Sequence, residues 1–173
     1  THPFAATISH NAIAASGLIT NKDSLAEGLL RQGVSFSEMA GGGVNPVELV
    51  ARLINRGETL LDGIVNMQKL IEGSLCLLIL KDDGIYAARD LCGRFSLVVG
   101  GNGKKGEYVI ATEASALQNL GYDVMMYPGP GEILKLSRSG IKQLRPPSAE
   151  KKVCAFLWIY TGEPSSTYEG RSV

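Results

Sequence analysis

Apolar residues recur at helical spacing in three segments of the first half of the chain. This spacing predicts helices over residues 23–33, 46–54 and 58–71. Asp23 is expected to cap the first helix, and Asn45 precedes Pro46 in an arrangement typical of a helix start. Glu48 follows at the position of a capping-box acid, so these residues have a sufficient structural role as a helix cap.

The hydrophobic pattern changes period after residue 72. Apolar runs separated by turn residues predict successive strands, with a short helix at 113–121 between them, and the strands are placed at residues 74–80, 85–90, 96–100, 108–112, 131–137, 140–145 and 154–160. The first four are close in sequence, which predicts antiparallel neighbours. The first and third lack polar alternation, so both of their faces are expected to be covered. The fold class predicted is α+β, with antiparallel sheets and helices packed outside them.

Composition narrows the class of protein. The 173 residues suit one compact domain, and 17 basic residues balance 17 acidic ones. This balance offers no electrostatic attraction to nucleic acid or to an anionic membrane, so neither partner is predicted. The longest apolar run is far shorter than the roughly 18 residues of a membrane span, and the first residues lack the pattern of a signal peptide. We therefore expect a cytoplasmic protein.

Metal and cofactor sites are not predicted. Cys76, Cys92 and Cys154 are scattered and form no Cys-x-x-Cys pair, and only His2 and His10 could supply imidazole. The cysteines are interpreted as buried, reduced thiols. The glycine-rich segments at 40–45 and 101–106 do not fit a phosphate-binding loop, so we expect no nucleotide and no other cofactor.

Four motifs follow one another in order in the second half. They are Gly-Ser at 73–74, Ala-x-Arg-Asp-x-x-Gly at 87–93, Ala-x-Glu-x-x-Ala-Leu at 111–117 and Pro-Gly-Glu at 130–132. This series resembles the glutaminase domain of glutamine phosphoribosylpyrophosphate amidotransferase and its class II glutamine amidotransferase relatives. The tail, residues 154–173, resembles the family segment that leaves that domain.

The resemblance implies a fold and an activity. The fold would be the four-layer αββα sandwich of the N-terminal nucleophile hydrolases, with residues 1–173 forming a single glutaminase-like domain. Its first strands and the phosphoribosyltransferase domain are expected to lie outside this chain. The activity would be hydrolysis of glutamine to glutamate, with ammonia passed to an acceptor or synthase domain or subunit. The resemblance leaves a homo-oligomer open.

The family nucleophile is a mature N-terminal Cys whose own α-amino group serves as base. This chain begins with Thr1, and an N-terminal Thr can act in the same way. Thr1 lies only nine residues before His10, whereas the family nucleophile starts a strand well upstream of the catalytic corner. We therefore expect the nucleophile to precede this chain, with an isolated hydrolase that uses Thr1 as a third hypothesis.

The family oxyanion corner is His-Asn-Gly, in which the Asn side chain and the Gly N–H donate to the tetrahedral oxygen. His10 and Asn11 match it, and Ala12 replaces the glycine. Alanine retains the N–H donor but would be strained at positive φ. The alternative interpretation is that these residues only end a strand over 4–9. The family then continues with a short turn and Thr-Asn, so residues 12–19 are interpreted as an inserted loop.

Other departures affect the substrate site. The family opens its next helix with Ser-Asp-Thr-Glu and binds the glutamine amino group through the Asp, but Pro46 stands in its place here. The family arginine motif that holds the substrate carboxylate is missing, and Arg89 and Asp90 are interpreted as a structural ion pair. The sequence therefore leaves activity open. A degenerate glutaminase-like domain, acting as a binding or assembly module, is the alternative.

Overall fold

The computed structural model describes residues 11–37, 39–40, 43–104, 106–160 and 162–173. Five helices are present in this part of the chain: α1 (Lys22–Arg31), α2 (Pro46–Ile54), α3 (Leu60–Leu70), α4 (Ala114–Asn119) and α5 (Ala155–Tyr160). The strands are β1 (Ala12–Ile19), β2 (Met39–Ala40), β3 (Gly43–Val44), β4 (Gly73–Lys81), β5 (Gly84–Arg89), β6 (Val98–Gly101), β7 (Tyr108–Ala111), β8 (Asp123–Met126), β9 (Ile133–Ser137), β10 (Gly140–Arg145), β11 (Thr167–Tyr168) and β12 (Arg171–Ser172).

Two antiparallel sheets form the centre of the fold. The larger has the order β1-β4-β5-β9-β10 and the smaller the order β7-β6-β8. Helices α1 to α3 share one hydrophobic core with the larger sheet, and a second core fills the space between the sheets. Helix α4 covers the smaller sheet, where the Leu117 side chain lies directly over Gly100. The predicted four-layer αββα arrangement is confirmed.

The position of β4 between two apolar cores explains why its sequence lacks polar alternation. Leu75, Leu77 and Ile79 point into the core beneath the helices, whereas Cys76 points into the core between the sheets. Successive side chains of a strand face opposite sides, so a strand between two apolar layers needs apolar residues at both parities. The expectation that both faces of this strand are covered is confirmed.

All four predicted helices form close to their expected bounds. Asn45 caps α2, its Oδ1 accepting a hydrogen bond of 2.8 Å from the Val47 N–H, and Pro46 occupies the first turn as predicted. The cap predicted for α1 is wrong, because Asn21 holds that position and Asp23 lies inside the first turn. Two of the three antiparallel pairings expected among the four successive strands form, β4 with β5 and β6 with β7, whereas β5 and β6 lie in different sheets.

Several segments differ from the predicted elements. In place of the strand predicted at residues 154–160, residues 155–160 form helix α5. The Trp158 N–H donates to the Cys154 carbonyl at 3.1 Å, and the Phe156 and Tyr160 rings stack one helical turn apart. A composition rich in aromatic residues favours a strand, but here local contacts and not sheet pairing decide the conformation. Strand β8 was not predicted.

Residues 12–19 form strand β1 and not an inserted loop. It pairs with β4 over its whole length, from Ala12 opposite Leu80 to Ile19 opposite Gly73. Alanine, serine and glycine have low strand propensity, so this segment carries little local signal. Backbone pairing with the edge of β4 therefore fixes the conformation of residues 12–19. The strand predicted at residues 4–9 lies outside the described residues.

Gly17 allows β1 to approach β4 closely, at φ +144°. A Cβ atom built on Gly17 would lie 2.0 Å from the Ser74 carbonyl oxygen. We predict that Gly17→Ala lowers the free energy of unfolding by at least about 2 kcal/mol, measured by urea denaturation. Gly28 is the matched control, because a Cβ there meets nothing within 4 Å and Gly28→Ala should raise stability by about 0.5–1 kcal/mol. Equal effects of the two changes would contradict this account.

Candidate functional site

The predicted oxyanion corner lies at the start of β1. Thr1 and His10 lie outside the described residues, and Asn11 is the first residue that the structure describes. The Asn11 Oδ1 atom is buried and accepts no hydrogen bond from the described part of the chain. Ala12 is exposed and extended, opposite Leu80. The strain expected at Ala12 is absent, since Glu169 is the sole non-glycine residue at positive φ among the described ones.

The opposite end of β1 carries a second candidate corner. Gly17 has positive φ and lies three residues before Thr20 and Asn21. Since β1 is a continuous strand without an inserted loop, the family order of Gly, short turn and Thr-Asn fits Gly17 better than Ala12. Ala15 and Ser16 would then occupy the His and Asn positions. The two candidate corners lie about 17 Å apart, at about 3.4 Å per residue of strand.

Thr20 and Asn21 connect the turn after β1 to the turn before β4. The Thr20 N–H donates to the Glu72 carbonyl at 2.8 Å. The Asn21 side chain donates to the Leu70 carbonyl at 2.9 Å and accepts from the Glu72 N–H at 3.0 Å. The pair therefore holds Gly17 against the first residues of β4. The sequence signal for this arrangement is Gly-Leu-Ile-Thr-Asn at 17–21. Interpreting residues 12–19 as an inserted loop hid this signal.

The position at which the sequence resemblance predicts substrate binding lies at the start of α2. Pro46 begins that helix and has no side-chain group that could bind an amine. Glu48 retains the family carboxylate, but it is 1% exposed and lies inside the protein. Its carboxylate accepts hydrogen bonds from the Ser37 N–H at 3.0 Å and the Ser37 hydroxyl at 2.9 Å. Arg52 pairs with it at 2.9 Å. Glu48 thus anchors the segment before α2.

The predicted ion pair between Arg89 and Asp90 is wrong. Asp90 instead accepts backbone hydrogen bonds within its own loop, from the N–H groups of Cys92, Arg94 and Phe95. Arg89 is completely buried and turns away from Asp90. Its guanidinium donates to three backbone carbonyls and pairs with the Glu169 carboxylate, and those carbonyls belong to Gly93, Phe95 and Pro128.

Glu169 is a structural residue that the sequence did not indicate. It lies between β11 and β12 at φ +55°, in the left-handed region that non-glycine residues rarely adopt. Its carboxylate contacts both the Arg89 guanidinium and the Lys151 ammonium. Tyr168 adds a hydrogen bond of 2.6 Å from its hydroxyl to the Arg94 carbonyl. These contacts fasten the last residues of the chain to the loop after β5.

The three cysteines are free thiols. Cys76 lies between the sheets, where burial raises its pKa to about 12. It therefore remains a neutral thiol near pH 7 and is unsuited to be a nucleophile. Among the described residues, no group of three or more His, Cys, Asp and Glu side chains is placed to hold a metal ion.

Comparisons with known proteins agree with this architecture. Amidophosphoribosyltransferases from Bacillus subtilis and Mycobacterium tuberculosis are 29% and 26% identical over 165 residues, which is 94% of this chain and 33% and 31% of those proteins. The Drosophila melanogaster enzyme is 28% identical over 198 aligned positions, covering 99% of this chain and 35% of that protein. No protein-family model matches.

Solved structures show the same relation. The glutamine phosphoribosylpyrophosphate amidotransferase of B. subtilis, complexed with ADP and GMP, superposes with a TM-score of 0.84 at 27% identity. The match covers 99% of this chain and 37% of that one. A structure described as the allosteric regulatory enzyme of purine biosynthesis superposes with a TM-score of 0.83, also at 27% identity. That match covers 99% of this chain and 36% of the other chain.

The resemblance seen in the four ordered motifs is therefore confirmed. The chain is a glutamine amidotransferase-like domain with the fold of the N-terminal nucleophile hydrolases. It spans about a third of the length of the curated relatives it matches. None of the helices in the described ranges is long and apolar enough to cross a bilayer.

The burial of Glu48 leads to a prediction with an internal control. Glu48→Gln removes the buried carboxylate that binds Ser37 and pairs with the partly exposed Arg52, so we expect the free energy of unfolding to fall by about 2–4 kcal/mol. The exposed Glu27–Arg31 pair has the same helical spacing, and Glu27→Gln should change stability by less than about 0.5 kcal/mol. Chemical denaturation measures both. Similar losses for the two variants would show that Glu48 is not a buried anchor.

Proposed function

We propose that this domain is the glutaminase part of a class II glutamine amidotransferase. It would hydrolyse glutamine to glutamate and supply ammonia to an acceptor site elsewhere. The observation that carries this proposal is the superposition on glutamine phosphoribosylpyrophosphate amidotransferase over 99% of this chain. The acceptor reaction would belong to another domain or subunit, because the chain spans only about a third of those relatives.

The nucleophile of this proposal is a mature N-terminal Cys contributed by a longer natural form. Glutamine hydrolysis requires a thiolate near neutral pH, and the α-amino group of such a residue would act as its base. The raised pKa of Cys76 argues against that residue, and Cys92 and Cys154 have no free α-amino group.

The uncovered part of the larger sheet supports further strands in a longer form. Leu18 and Leu80, on the face of β1 and β4 that points toward the smaller sheet, are 65% and 54% exposed. A cavity of about 520 Å³ lies between the sheets, lined by Leu78, Tyr108 and Ile110 among others. Strand β7 has a neighbour on one side only among the described strands. Added strands beside β7 would cover this apolar face.

An exposed apolar face on α5 supports contact with the acceptor domain or subunit. Phe156, Ile159 and Tyr160 are 61%, 68% and 76% exposed. Large apolar side chains grouped in this way favour an interface. The same surface is compatible with a homo-oligomer, which sedimentation of the natural protein would detect.

A cytoplasmic location is part of the same proposal. Free thiols are typical of a reducing compartment, and all three cysteines are unpaired. Fractionation of cells that produce the natural protein tests the location, and recovery from a membrane or secreted fraction would contradict it.

The oxyanion donors would lie at one of the two ends of β1. The corner predicted from the sequence uses His10, the Asn11 side chain and the Ala12 N–H. The other uses Ser16 and the Gly17 N–H, and the continuity of β1 and the positive φ of Gly17 favour it. Ser16 lies opposite Cys76, on the face of the sheet that points toward the space between the sheets, where further strands would place a nucleophile.

Glutamate release from glutamine by the longest natural form tests both the activity and the corner. We expect release, and replacing an oxyanion donor should lower kcat by about 10²–10³-fold. Asn11→Ala and Ser16→Ala are compared, each with its fold verified by circular dichroism. A fall in kcat confined to Ser16→Ala places the oxyanion donors at the Gly17 end of β1. A fall in kcat confined to Asn11→Ala places them at the corner predicted from the sequence. Absence of release by the unmodified natural form would overturn the catalytic proposal.

A degenerate glutaminase-like domain is the second candidate, and Pro46 is the observation that favours it. Proline replaces the carboxylate that would bind the glutamine amino group, and Glu48 is already engaged with Ser37 and Arg52. Calorimetric titration with glutamine separates the two functions. Saturable binding by the natural form supports a working substrate site, and replacing Pro46 with Asp should strengthen it. No heat of binding in either protein would favour a binding or assembly module.

A further inference from the structure

A second cavity lies on the helical side of the larger sheet. It occupies about 310 Å³ between α3, the start of β4 and the end of β5. Its inner wall is apolar and completely or almost completely buried, consisting of Met67, Leu75, Leu77 and Ala88. The volume is at the lower end of the range of about 300–1,000 Å³ that is typical of small-molecule pockets.

The mouth of this cavity carries the Arg94 cation, which attracts the Glu150 carboxylate only at longer range, because Glu150 is paired with Lys152 at 2.9 Å. The Arg94 guanidinium donates one hydrogen bond, of 3.2 Å, to the Gly73 carbonyl. It forms no ion pair with a carboxylate of the described residues. Asp90 is nearby, but its carboxylate is occupied by the N–H groups of its own loop. Exposed Lys69 and Glu72 at the rim offset each other in charge.

Gln68, like Arg89 and Asp90, is a buried polar side chain at the wall whose hydrogen bonds are already made within the protein. Its amide donates to the Arg89 carbonyl at 2.6 Å and accepts from the Arg145 guanidinium at 2.8 Å. The cavity therefore combines an apolar interior with one available cationic donor at its edge. An apolar body with one anionic group complements both features, because guanidinium binds carboxylate through paired hydrogen bonds.

We propose that this cavity binds a small carboxylate with an apolar body. The apolar part lies against Met67, Leu77 and Ala88, and the carboxylate pairs with Arg94. The cavity lies on the opposite face of the sheet from Ser16 and Cys76 at the proposed Gly17 corner, and the alternative corner at Asn11 lies at the other end of β1. The proposal does not depend on the glutaminase function.

Octanoate is the probe, with octylammonium and 1-octanol as chemically matched controls. We expect saturable octanoate binding at one site per chain by calorimetry, weaker octanol binding and none by octylammonium. Arg94→Gln should weaken octanoate binding by about tenfold and leave octanol unchanged, since only the carboxylate contact is lost. Lys69→Gln is the matched rim variant and should change binding by less than twofold.

Two further measurements keep the test independent of folding defects. Ala88→Leu fills the inner wall and should abolish binding of octanoate and octanol while the thermal unfolding transition remains cooperative. Cys92 lines the cavity and Cys154 does not, so octanoate should slow iodoacetamide alkylation of Cys92 alone. The proposal is overturned if octanoate does not saturate, if Lys69→Gln and Arg94→Gln weaken it equally, or if both cysteines are protected alike.

Discussion

The buried Arg89 guanidinium is the interaction on which the rest of this fold depends. A charge removed from water is tolerated only when it is paired and hydrogen-bonded, and Arg89 meets this requirement with carbonyls and a carboxylate from three separate places in the chain. It lies at the last position of β5, where the chain leaves the larger sheet for the smaller one. The end of β5, its loop, the segment before β9 and the last hairpin therefore have to assemble around one side chain.

The motifs that carry the resemblance are mainly parts of this assembly. The Gly131 N–H donates to the Asp90 carbonyl at 2.7 Å, so the fourth motif, Pro-Gly-Glu, and the second, Ala-x-Arg-Asp-x-x-Gly, meet directly. Glu132 is 3% exposed and accepts hydrogen bonds from the Gly129 N–H and the Gln143 side chain. Residues that build a scaffold identify ancestry strongly and chemistry weakly. For this reason the motifs identify the fold, whereas the glutaminase activity is tested by glutamate release from glutamine.

The sequence predicted the fold more accurately than it predicted the positions of the candidate site residues. Helix α2 and its cap could be predicted, because Asn45 and Pro46 act on neighbouring backbone groups. The corner could not, because the family pattern can be matched to either end of β1 and only pairing with β4 shows that the strand is continuous. The partner of Arg89 was mistaken for a similar reason. Glu169 is eighty residues away in the chain, and only the folded hairpin brings it to the guanidinium.

The sequence by itself determined the periodicities, the cap of α2, the ordered motifs and, through them, the four-layer class of fold. These features depend on contacts between residues close in the chain or on the alternation of side chains along one strand. Only the tertiary structure decided that residues 12–19 pair as an edge strand, that residues 155–160 are helical, and that Arg89 is bound by Glu169. For residues 12–19 and for Arg89, local propensity is weak or points elsewhere, and the conformation follows from hydrogen bonds and burial that exist only after distant segments have packed together. Residues 155–160 pair with no strand of the described ranges, and contacts within one helical turn prevail there.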